Sequence, residues 1–423
     1  MAVNLKDKTI IVRDYGEYFY IAEKLAESFG KVYYYVPYED SFPLYNAQLI
    51  GKGIQGVERI YSFWDHLAEA DVIMFPDLFE GDLQDYLREQ GHNVFGAVMG
   101  EELEIYRPES KQLLQTSGLP VGEYEVVYGL DALRERLKTV EDKYIKMNVY
   151  LRGQMETWHH ENYALSNPIL NKMDHDFGIA MRDEPIIIET PIPALGEIGY
   201  DGAVVDGKFL KASVIGIEAK DEGYVGKFTD YDKLPHQIKE ANDKLASVFK
   251  DYGYRGWYSN EIRVSKEDKK GYLVDFTCRC PEPNMAVAVE AYANYGEIVW
   301  DIAHGNVPNV KKRADYAVEC IIHSDWLNEE PQPVSFPPDI RQWVKLKNHA
   351  IIDGVDYAIS QKNDSDGVGA LVFCSASLDD AILECEFMAK KIKGYHIEIN
   401  TSSLKGIKEN IDELYKNGIK IFG

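Results

Sequence analysis

The 423-residue chain has little positive charge and contains no long run of apolar residues. Its 46 lysines and arginines stand against 70 aspartates and glutamates, and the net charge of −24 excludes the broad basic surface that nucleic-acid binding requires. No stretch approaches the ~18 apolar residues of a membrane helix, and residues 1–8 carry charges where a secretory signal would be apolar. We therefore expect a cytoplasmic protein without a nucleic-acid or membrane partner. This composition still allows a local basic pocket for a small anion.

Cysteine is scarce as well, and its five positions are Cys278, Cys280, Cys320, Cys374 and Cys385. An odd number of cysteines in a long chain without a signal sequence indicates reduced thiols. The pair Cys278-x-Cys280 could form half of a zinc site, but no second pair of cysteines or histidines has a matching spacing. A structural role for these cysteines is therefore the favoured interpretation.

The order of apolar segments predicts three regions. Strand and helix alternate over 1–100, which favours a small α/β domain with a parallel sheet. Strands dominate over 101–305 and are accompanied by long helices, which is typical of an α+β domain. The remainder, 306–423, mixes short strands with two helices and is predicted to be a C-terminal α/β domain.

Two glycine motifs match phosphate-binding loops only in part. The segment 51–56 spells G-x-G-x-x-G, but an extended segment follows it, whereas the dinucleotide motif requires a helix there. The segment 202–209 approaches a P-loop, but Phe209 occupies the position of the magnesium-binding hydroxyl. Asp206-Gly207 is better interpreted as a hairpin turn between two strands.

A β-hairpin over 257–277 has the most informative polar pattern. Its two predicted strands are joined by a charged loop, and side chains alternate between the two faces of each strand. A register that pairs Val264 with Tyr272 also pairs Glu261 with Asp275. Directly opposed side chains have Cβ atoms about 4.5–5.5 Å apart, where two like charges repel each other. The pair therefore needs a cation between the carboxylates, or one carboxylate must be protonated.

Magnesium is a cation that suits this pair. Mg²⁺ binds through one or two carboxylates and takes its other ligands from substrate phosphates and water. Glu261 and Asp275 supply the carboxylates, Thr277 offers a weaker oxygen ligand, and Arg279 follows as a planar cation that could bind phosphate. The alternative is an acidic hairpin on a sheet that faces solvent.

Two further segments favour a polyphosphate site. Lys146 ends a predicted strand, and the loop that follows contains Arg152 and Gly153. This arrangement places one cation at a strand end and another on a flexible loop, although a lone strand-end lysine is also a common surface residue. The apolar strand 186–192 runs into Pro191, which cannot donate a hydrogen bond, so nearby backbone groups remain free to bind a flat base.

The order of these elements resembles the ATP-grasp superfamily, and most of all phosphoribosylamine–glycine ligase and related carboxylate–amine ligases such as biotin carboxylase. The resemblance implies an ATP-grasp fold with a lid subdomain at about 123–195, preceded by a small Rossmann-like domain. It implies ATP and Mg²⁺ as cofactors and amide formation through an acyl phosphate, with release of ADP and phosphate. The expected partners are a small-molecule carboxylate and an amine, and the expected assembly is a monomer or a homodimer.

The resemblance also assigns individual residues. It assigns nucleotide binding to Arg107, Lys111, Lys146, Gly153, Glu189, Thr190, Ile192 and Glu197. It assigns the metal to Glu261, Asp275 and Thr277, and catalysis to Lys146 and Arg279. Asp275 and Thr277 depart from the family pattern, which has Glu and an amide there. Two alternatives therefore remain, phosphoribosylamine–glycine ligase itself and a non-catalytic ATP-binding relative.

Overall fold

The computed structural model describes residues 3–37, 46–148, 156–327, 330–359 and 367–422. Gly153 and Arg152, which belong to the predicted phosphate-binding loop, lie outside these ranges. None of the described helices combines the length and the apolar composition that crossing a membrane requires.

The N-terminal part forms a parallel sheet of five strands in the order β3-β2-β1-β4-β5. The strands are β1 (Thr9–Arg13), β2 (Lys31–Tyr35), β3 (Val57–Arg59), β4 (Val72–Met74) and β5 (Val94–Phe95). The helices are α1 (Phe19–Ala26), α2 (Phe63–His66), α3 (Gly81–Glu89), α4 (Glu102–Ile105) and α5 (Arg107–Thr116). The central strand β1 buries Ile10, Ile11 and Val12, as expected for a parallel strand covered on both faces. The predicted α/β arrangement is confirmed.

The next part forms an antiparallel sheet in the order β6-β9-β7-β8. Its elements are β6 (Tyr124–Tyr128), α6 (Gly129–Leu137), β7 (Lys143–Met147), β8 (Thr157–His160), α7 (Tyr163–Phe177) and β9 (Pro185–Glu189). Leu133, Ile145 and Ile188 are fully or almost fully buried in the core of this unit. The sheet therefore fixes Lys146 on β7 next to the end of β9.

A second antiparallel sheet, in the order β10-β15-β11-β12 with β16 paired to β15, holds the predicted hairpin. Its strands are β10 (Ala194–Ile198), β11 (Asp201–Val205), β12 (Lys208–Phe209), β15 (Arg255–Ser265) and β16 (Gly271–Thr277). Helix α8 (His236–Asp251) packs on this sheet. The strands β13 (Ala212–Ala219) and β14 (Gly223–Asp230), which lie between β12 and α8 in the chain, belong to a third sheet. Val205 pairs with Lys208, so Asp206-Gly207 forms the two-residue turn that the sequence predicts. Both turn residues have positive φ, which Gly207 adopts without strain.

The register of the hairpin confirms one predicted pair and corrects another. Glu261 lies opposite Asp275, as predicted. Val264, however, pairs with Gly271 and not with Tyr272, because the register shifts by one residue beside Glu261. The extra residue is Val274 on β16, which makes the irregularity a β-bulge.

Residues on both sides of position 305 share the third sheet, whose order is β13-β14-β17-β22-β19. The remaining elements are α9 (Met285–Ala291), α10 (Tyr295–Ala303), β17 (Tyr316–Ser324), β18 (Gln332–Ser335), β19 (Val344–Leu346), β20 (His349–Ile352), β21 (Val355–Ala358), β22 (Gly367–Ser375), α11 (Leu378–Ala389), β23 (Lys393–Gly394), β24 (Ile397–Glu398) and α12 (Ser402–Lys416). A small sheet in the order β20-β21-β18-β23 lies beside it. The domain boundaries at 100 and 305 stay a prediction.

The apolar periodicity of the sequence predicts one helix over about 101–117 and another over about 285–304, and the structure interrupts both. The helix over 101–117 is divided between α4 and α5 because Pro108 lacks the amide proton that a continuous helix needs at that point. The helix over 285–304 is divided between α9 and α10 because Ala293 donates a backbone hydrogen bond to Lys311 at 2.8 Å. Local helical periodicity contains no information about that distant partner.

Candidate active site

Lys146 connects two of the sheets. Its Nζ lies 2.6 Å from Oδ2 of Asp275 and 3.5 Å from Oε2 of Glu189, and it donates a hydrogen bond to the carbonyl of Val274 at 3.0 Å. The lysine is buried, and burial alone would lower its pKa. The carboxylates of Asp275 and Glu189 outweigh that effect and raise the pKa of Lys146, so its ammonium stays charged.

Lys111 of α5 is a second buried cation at the same place. It forms an ion pair with Glu189, so Glu189 lies between the ammonium groups of Lys111 and Lys146. Burial lowers the pKa of Lys111, and the Glu189 carboxylate offsets only part of this effect. Lys111 and Lys146 thus share Glu189, and Lys146 also pairs with Asp275, so cationic side chains cluster here although the whole chain is acidic.

Arg107 adds a third cation at the beginning of α5. Its Nε lies 3.7 Å from Oδ1 of Asp275, and one guanidinium nitrogen donates to the carbonyl of Met147 at 2.6 Å and to Oγ1 of Thr157 at 3.2 Å. Burial would raise the pKa of Asp275, but Lys146 and Arg107 outweigh it and lower that pKa to about 2. Asp275 is therefore an anion at any ordinary pH.

Glu261 has the opposite electrostatic environment. Burial, together with the neighbouring carboxylates of Glu197 and Asp275, raises the pKa of Glu261 well above its usual value. Arg263 compensates weakly, since its guanidinium nitrogens lie 3.5 Å from Glu261 and 3.5 Å from Glu197. The two opposed carboxylates thus behave as the sequence argument requires, because one is ionised and the other favours a proton until a cation arrives.

The carboxylate pair fits a magnesium ion. The described residues contain no group of three or more His, Cys, Asp or Glu side chains that could hold a metal alone. Mg²⁺ commonly uses only one or two protein carboxylates and takes its other ligands from phosphates and water. Glu261 and Asp275 face each other across the hairpin and border the same cavities, while Thr277, opposite Ser259, lies one step further along β16.

The structure brings most of the predicted site residues together around one cavity of about 320 Å³. Its walls include the predicted residues Lys146, Glu189, Thr190, Ile192, Glu197, Glu261 and Asp275. Arg107 and Lys111 line a smaller neighbouring cavity that shares Lys146 and Asp275, and Thr277 lines an adjoining cavity. Gly153 lies outside the described residues.

Arg279 is placed differently from the other predicted residues. Its Nε donates to Oε1 of Glu104 at 3.0 Å, and its guanidinium donates to the hydroxyl of Tyr18 at 3.0 Å. Arg279 is not one of the described residues that line the three cavities above. It lies instead against the N-terminal part of the chain, and its catalytic role stays a prediction.

The sequence analysis missed several residues of the 320 Å³ cavity. Arg263, Tyr144, Glu218 and Lys220 also line it, and the Arg263 guanidinium lies 5.4 Å from the ring centroid of Tyr144. Arg263 follows Glu261 by two residues on one strand, so the alternation of strand faces could have identified it. Glu218 and Lys220 belong to the end of β13 and the turn after it, and the sequence contains no local signal for their position.

Sequence comparisons give no match to a protein-family model and none to a curated protein. Solved structures do match. Phosphoribosylamine–glycine ligase from Thermotoga maritima has 17% identity and a TM-score of 0.71, covering 93% of this chain and 98% of that chain. Biotin carboxylase from Campylobacter jejuni, in a β,γ-ATP complex, has 17% identity and a TM-score of 0.64, covering 97% of each chain.

A third match is the biotin carboxylase domain dimer of 2-oxoglutarate carboxylase from Hydrogenobacter thermophilus, solved with MgADP, ADP and bicarbonate. It has 13% identity and a TM-score of 0.64, and the match covers 97% of this chain and 95% of that chain. The three similarities extend over nearly the whole length of both partners in each comparison. The parallel N-terminal sheet, the paired antiparallel sheets and these matches together show that the protein has the ATP-grasp fold.

Proposed function

We propose that the protein is an ATP-dependent carboxylate–amine ligase that forms an amide through an acyl phosphate and releases ADP and phosphate. The observation that carries this proposal is the shared cavity of Lys146, the Glu261–Asp275 pair and the 189–192 segment. A buried ammonium for the phosphates and a pair of facing carboxylates for the metal are the elements that a magnesium-bound nucleoside triphosphate requires, and the end of β9 at 189–192 borders the same cavity.

The cations of the site are the proposed contacts for phosphate. Lys146, Lys111 and Arg107 are three cations that pair with only two carboxylates, Asp275 and Glu189. A polyphosphate would bring its own negative charge to these cations and would leave Asp275 free to bind Mg²⁺ together with Glu261. The cations would thereby exchange one anionic partner for another and would stay paired in both states.

The proposed chemistry depends mainly on positioning. When bound, MgATP supplies the γ-phosphoryl group that activates the carboxylate substrate. Glu261 and Asp275 would hold the metal, and Lys146 and Arg107 would neutralise charge on the phosphates. Arg279, fixed by Glu104, is the proposed group for stabilising negative charge on the reacting carbonyl. In keeping with the sequence prediction, we place this activity in the cytoplasm.

Calorimetric titration with MgATP tests the nucleotide site. We expect the double variant Glu261→Ala/Asp275→Ala to lose MgATP affinity by about 100-fold, because the metal loses both carboxylates. The matched control is Glu267→Ala/Asp268→Ala, which removes the same two side-chain types from the exposed loop of the same hairpin. Equal MgATP affinity of the double variant and the wild type would contradict the metal assignment.

A substrate screen tests the reaction. Carboxylic acids are crossed with amines, and ADP and phosphate formation are measured. ADP that appears only when both substrates are present supports a ligase. Phosphoribosylamine with glycine forms one arm of the screen, and ADP release in that arm would narrow the proposal to phosphoribosylamine–glycine ligase.

A second candidate function is a nucleotide-binding protein without turnover. Thr277 favours it, since the hydroxyl is a weaker oxygen ligand than the amide expected at that position. This candidate predicts MgATP binding without ADP release for every pair of substrates in the screen. Turnover with any pair would exclude it.

A further inference from the structure

Helix α11 carries apolar side chains on both of its faces. Its inner face packs on β17 and β22 and buries Ala381, Ile382, Cys385 and Met388. Its outer face carries Leu383 and Phe387, one helical turn apart, with exposed fractions of 60% and 55%. The outer face of a surface helix is normally polar. These two residues, the apolar pair, therefore form an apolar face that the described part of the chain leaves uncovered.

Charged side chains of opposite sign flank the apolar pair. Asp379 and Asp380 precede it by four and three residues, in the first turn of α11. Lys390 and Lys391 follow it by three and four residues, directly after the end of the helix. Residues three or four positions apart lie on the same side of a helix. The outer face therefore presents acidic, apolar and basic groups in that order.

This order is complementary to itself when the helix is reversed. Asp380 and Lys390 each lie five residues from Cys385, and Asp379 and Lys391 each lie six residues from it, on opposite sides. With a rise of about 1.5 Å per residue, two antiparallel copies centred at Cys385 bring the acidic start of one helix beside the basic end of the other. A parallel pair would place like charges together. The pattern thus fits a two-fold symmetric contact, in which both copies use the same surface.

We infer that the outer face of α11 binds a second copy of this chain in an antiparallel, two-fold symmetric pair. Leu383 of each copy would pack against Phe387 of the other, and the removal of these side chains from water would favour the pair. Asp379 and Asp380 would lie beside the two lysines of the second copy and fix the direction of the contact. The described residues that line the three cavities include none from α11, so the inference does not rest on the proposed ligase function.

The ion pairs within one chain leave these charges available. Asp379 pairs with Lys408 of α12, but 69% of the Asp379 side chain stays exposed. Lys391 pairs with Asp339 at 3.3 Å, and its ammonium lies 4.4 Å from the ring centroid of Phe387. Exposed ion pairs of this kind contribute little to stability. A second copy can therefore join them or replace them without a large cost.

The size of this surface sets the expected strength of the contact. Stable interfaces bury about 1,200–2,000 Å² in total, whereas α11 has 12 residues and is about 18 Å long. A single pair of such helices covers less area, so we expect a dimer that forms on the order of tens of micromolar and dissociates on dilution. Because charged groups lie at both ends of the contact, added salt should weaken it.

Sedimentation velocity of the full-length protein, from about 1 μM to about 200 μM, tests the contact. We expect the wild type to shift from monomer to dimer over this range, and Leu383→Ser/Phe387→Ser to stay monomeric. Both side chains are exposed, so this double variant should unfold at the same urea concentration as the wild type. Tyr86→Ser on α3 is the control, since it removes a half-exposed ring from another helix and should leave the dimer unchanged.

A charge exchange tests the antiparallel direction. Asp379→Lys/Asp380→Lys makes both ends of the outer face basic, and Lys390→Glu/Lys391→Glu makes both ends acidic. We expect each variant alone to dimerise at least tenfold more weakly than the wild type. An equal mixture of the two should recover dimers, because one surface is then basic and the other acidic. The matched control is Asp82→Lys/Asp85→Lys on the exposed side of α3, which changes the net charge equally and should dimerise as the wild type does.

The outcomes decide the inference. A wild type that stays monomeric at the highest concentration would overturn it. A dimer that persists unchanged in Leu383→Ser/Phe387→Ser would also overturn it, because that dimer would use another surface. Charge variants that dimerise like the wild type, or a mixture of them that stays monomeric, would overturn the antiparallel pairing.

Discussion

The Lys146 ammonium and the Asp275 carboxylate lie 2.6 Å apart, although they belong to different sheets and are separated by more than a hundred residues in the chain. Lys146 also binds the carbonyl of Val274, the extra residue of the β-bulge next to Asp275. The bulge thus presents both a carboxylate and a carbonyl to the same cation. Bulges often alter the direction of side chains beside functional sites, and this one brings the two sheets together at the proposed phosphate site.

Removing the Lys146 charge should weaken nucleotide binding. We expect Lys146→Met to lower MgATP affinity on the order of 100-fold, because loss of one partner from a buried charged contact typically costs about 2–5 kcal/mol. Isothermal titration measures the change. Lys138→Met is the control, since Lys138 is exposed and pairs with Glu135 on the surface of α6. Equal affinities for the two variants would contradict the role of Lys146.

Thr277 can be tested by strengthening and by weakening its oxygen ligand. We expect Thr277→Asn to increase the apparent Mg²⁺ affinity in the presence of ATP by about tenfold, because an amide carbonyl is a better Mg²⁺ ligand than a hydroxyl. Thr277→Val, which has nearly the same shape but no oxygen, should decrease it. The measurement is nucleotide binding as a function of Mg²⁺ concentration. A Thr277→Val protein with unchanged Mg²⁺ dependence would remove Thr277 from the metal site.

Glu319 makes stability depend on pH. Burial, with the nearby Glu282 carboxylate, raises the pKa of Glu319 to about 8. An unfolded Glu titrates near 4.3, so the free energy of unfolding should fall as pH rises from about 4.3 to about 8. Glutamine can accept the same hydrogen bonds from the backbone amides of Asn284 and Val287. We therefore expect Glu319→Gln to stabilise the protein at pH 8 by on the order of 2 kcal/mol.

Urea unfolding at pH 4.5 and pH 8 measures the Glu319 effect. At pH 4.5 the wild type and Glu319→Gln should unfold at similar urea concentrations, since the carboxyl is largely protonated in the folded wild type. Glu413→Gln on the exposed face of α12 is the control and should show no such difference between the two pH values. A Glu319→Gln variant that is less stable than the wild type at pH 8 would refute the prediction.

His349 should contribute stability with the opposite pH dependence from a salt-bridged carboxylate. Its ring is fully buried, with Nδ1 3.0 Å from Glu23 and Nε2 2.7 Å from Asp356, while Arg341 lies 3.1 Å from Nδ1. Burial would lower the pKa of His349, but Glu23 and Asp356 outweigh burial and raise it. The imidazolium therefore stabilises the fold fully below pH 6.5, and this contribution disappears as pH rises through the raised pKa.

The variant His349→Gln tests this contribution. We expect it to lose more stability at pH 5.5 than at pH 9 relative to the wild type, by on the order of 1 kcal/mol, as measured by urea unfolding at both pH values. His175→Gln is the control, because the His175 side chain is almost completely exposed. A loss that is the same at both pH values would show that His349 acts through packing and not through its charge.

The sequence predicted the hairpin and its facing carboxylates because strand alternation is a local property. Predicting that Glu261 lies opposite Asp275 required only the register of the two strands, and the predicted register was right at that pair. The predicted register was wrong at Val264, because no residue pattern in the sequence indicates the β-bulge at Val274. The cluster of Lys146, Lys111 and Glu189 followed from the family resemblance, since the sequence itself does not show that α5, β7 and β9 meet.

Long-range partners account for the parts that sequence reasoning missed. Arg279 binds Glu104 and Tyr18, which lie 175 and 261 positions away in the chain, and no local pattern identifies such partners. The strand β14 was not predicted, and it is covered on both edges by β13 and β17. Its two neighbours come from different predicted domains, so the pairing depends on how the whole chain is arranged.

The shared third sheet limits how this chain can be divided. A polypeptide ending at residue 305 would retain β13 and β14 but lose β17, the strand that pairs with β14 over Lys227 to Gly223. The backbone amides and carbonyls of β14 would then be unpaired at the edge of the sheet, where they could pair with another chain and cause aggregation. Exchange of the C-terminal segment with that of a related protein would face the same requirement, because the incoming strand has to match the register of β14. The part of the chain before residue 305 and the C-terminal segment therefore depend on each other to complete this sheet.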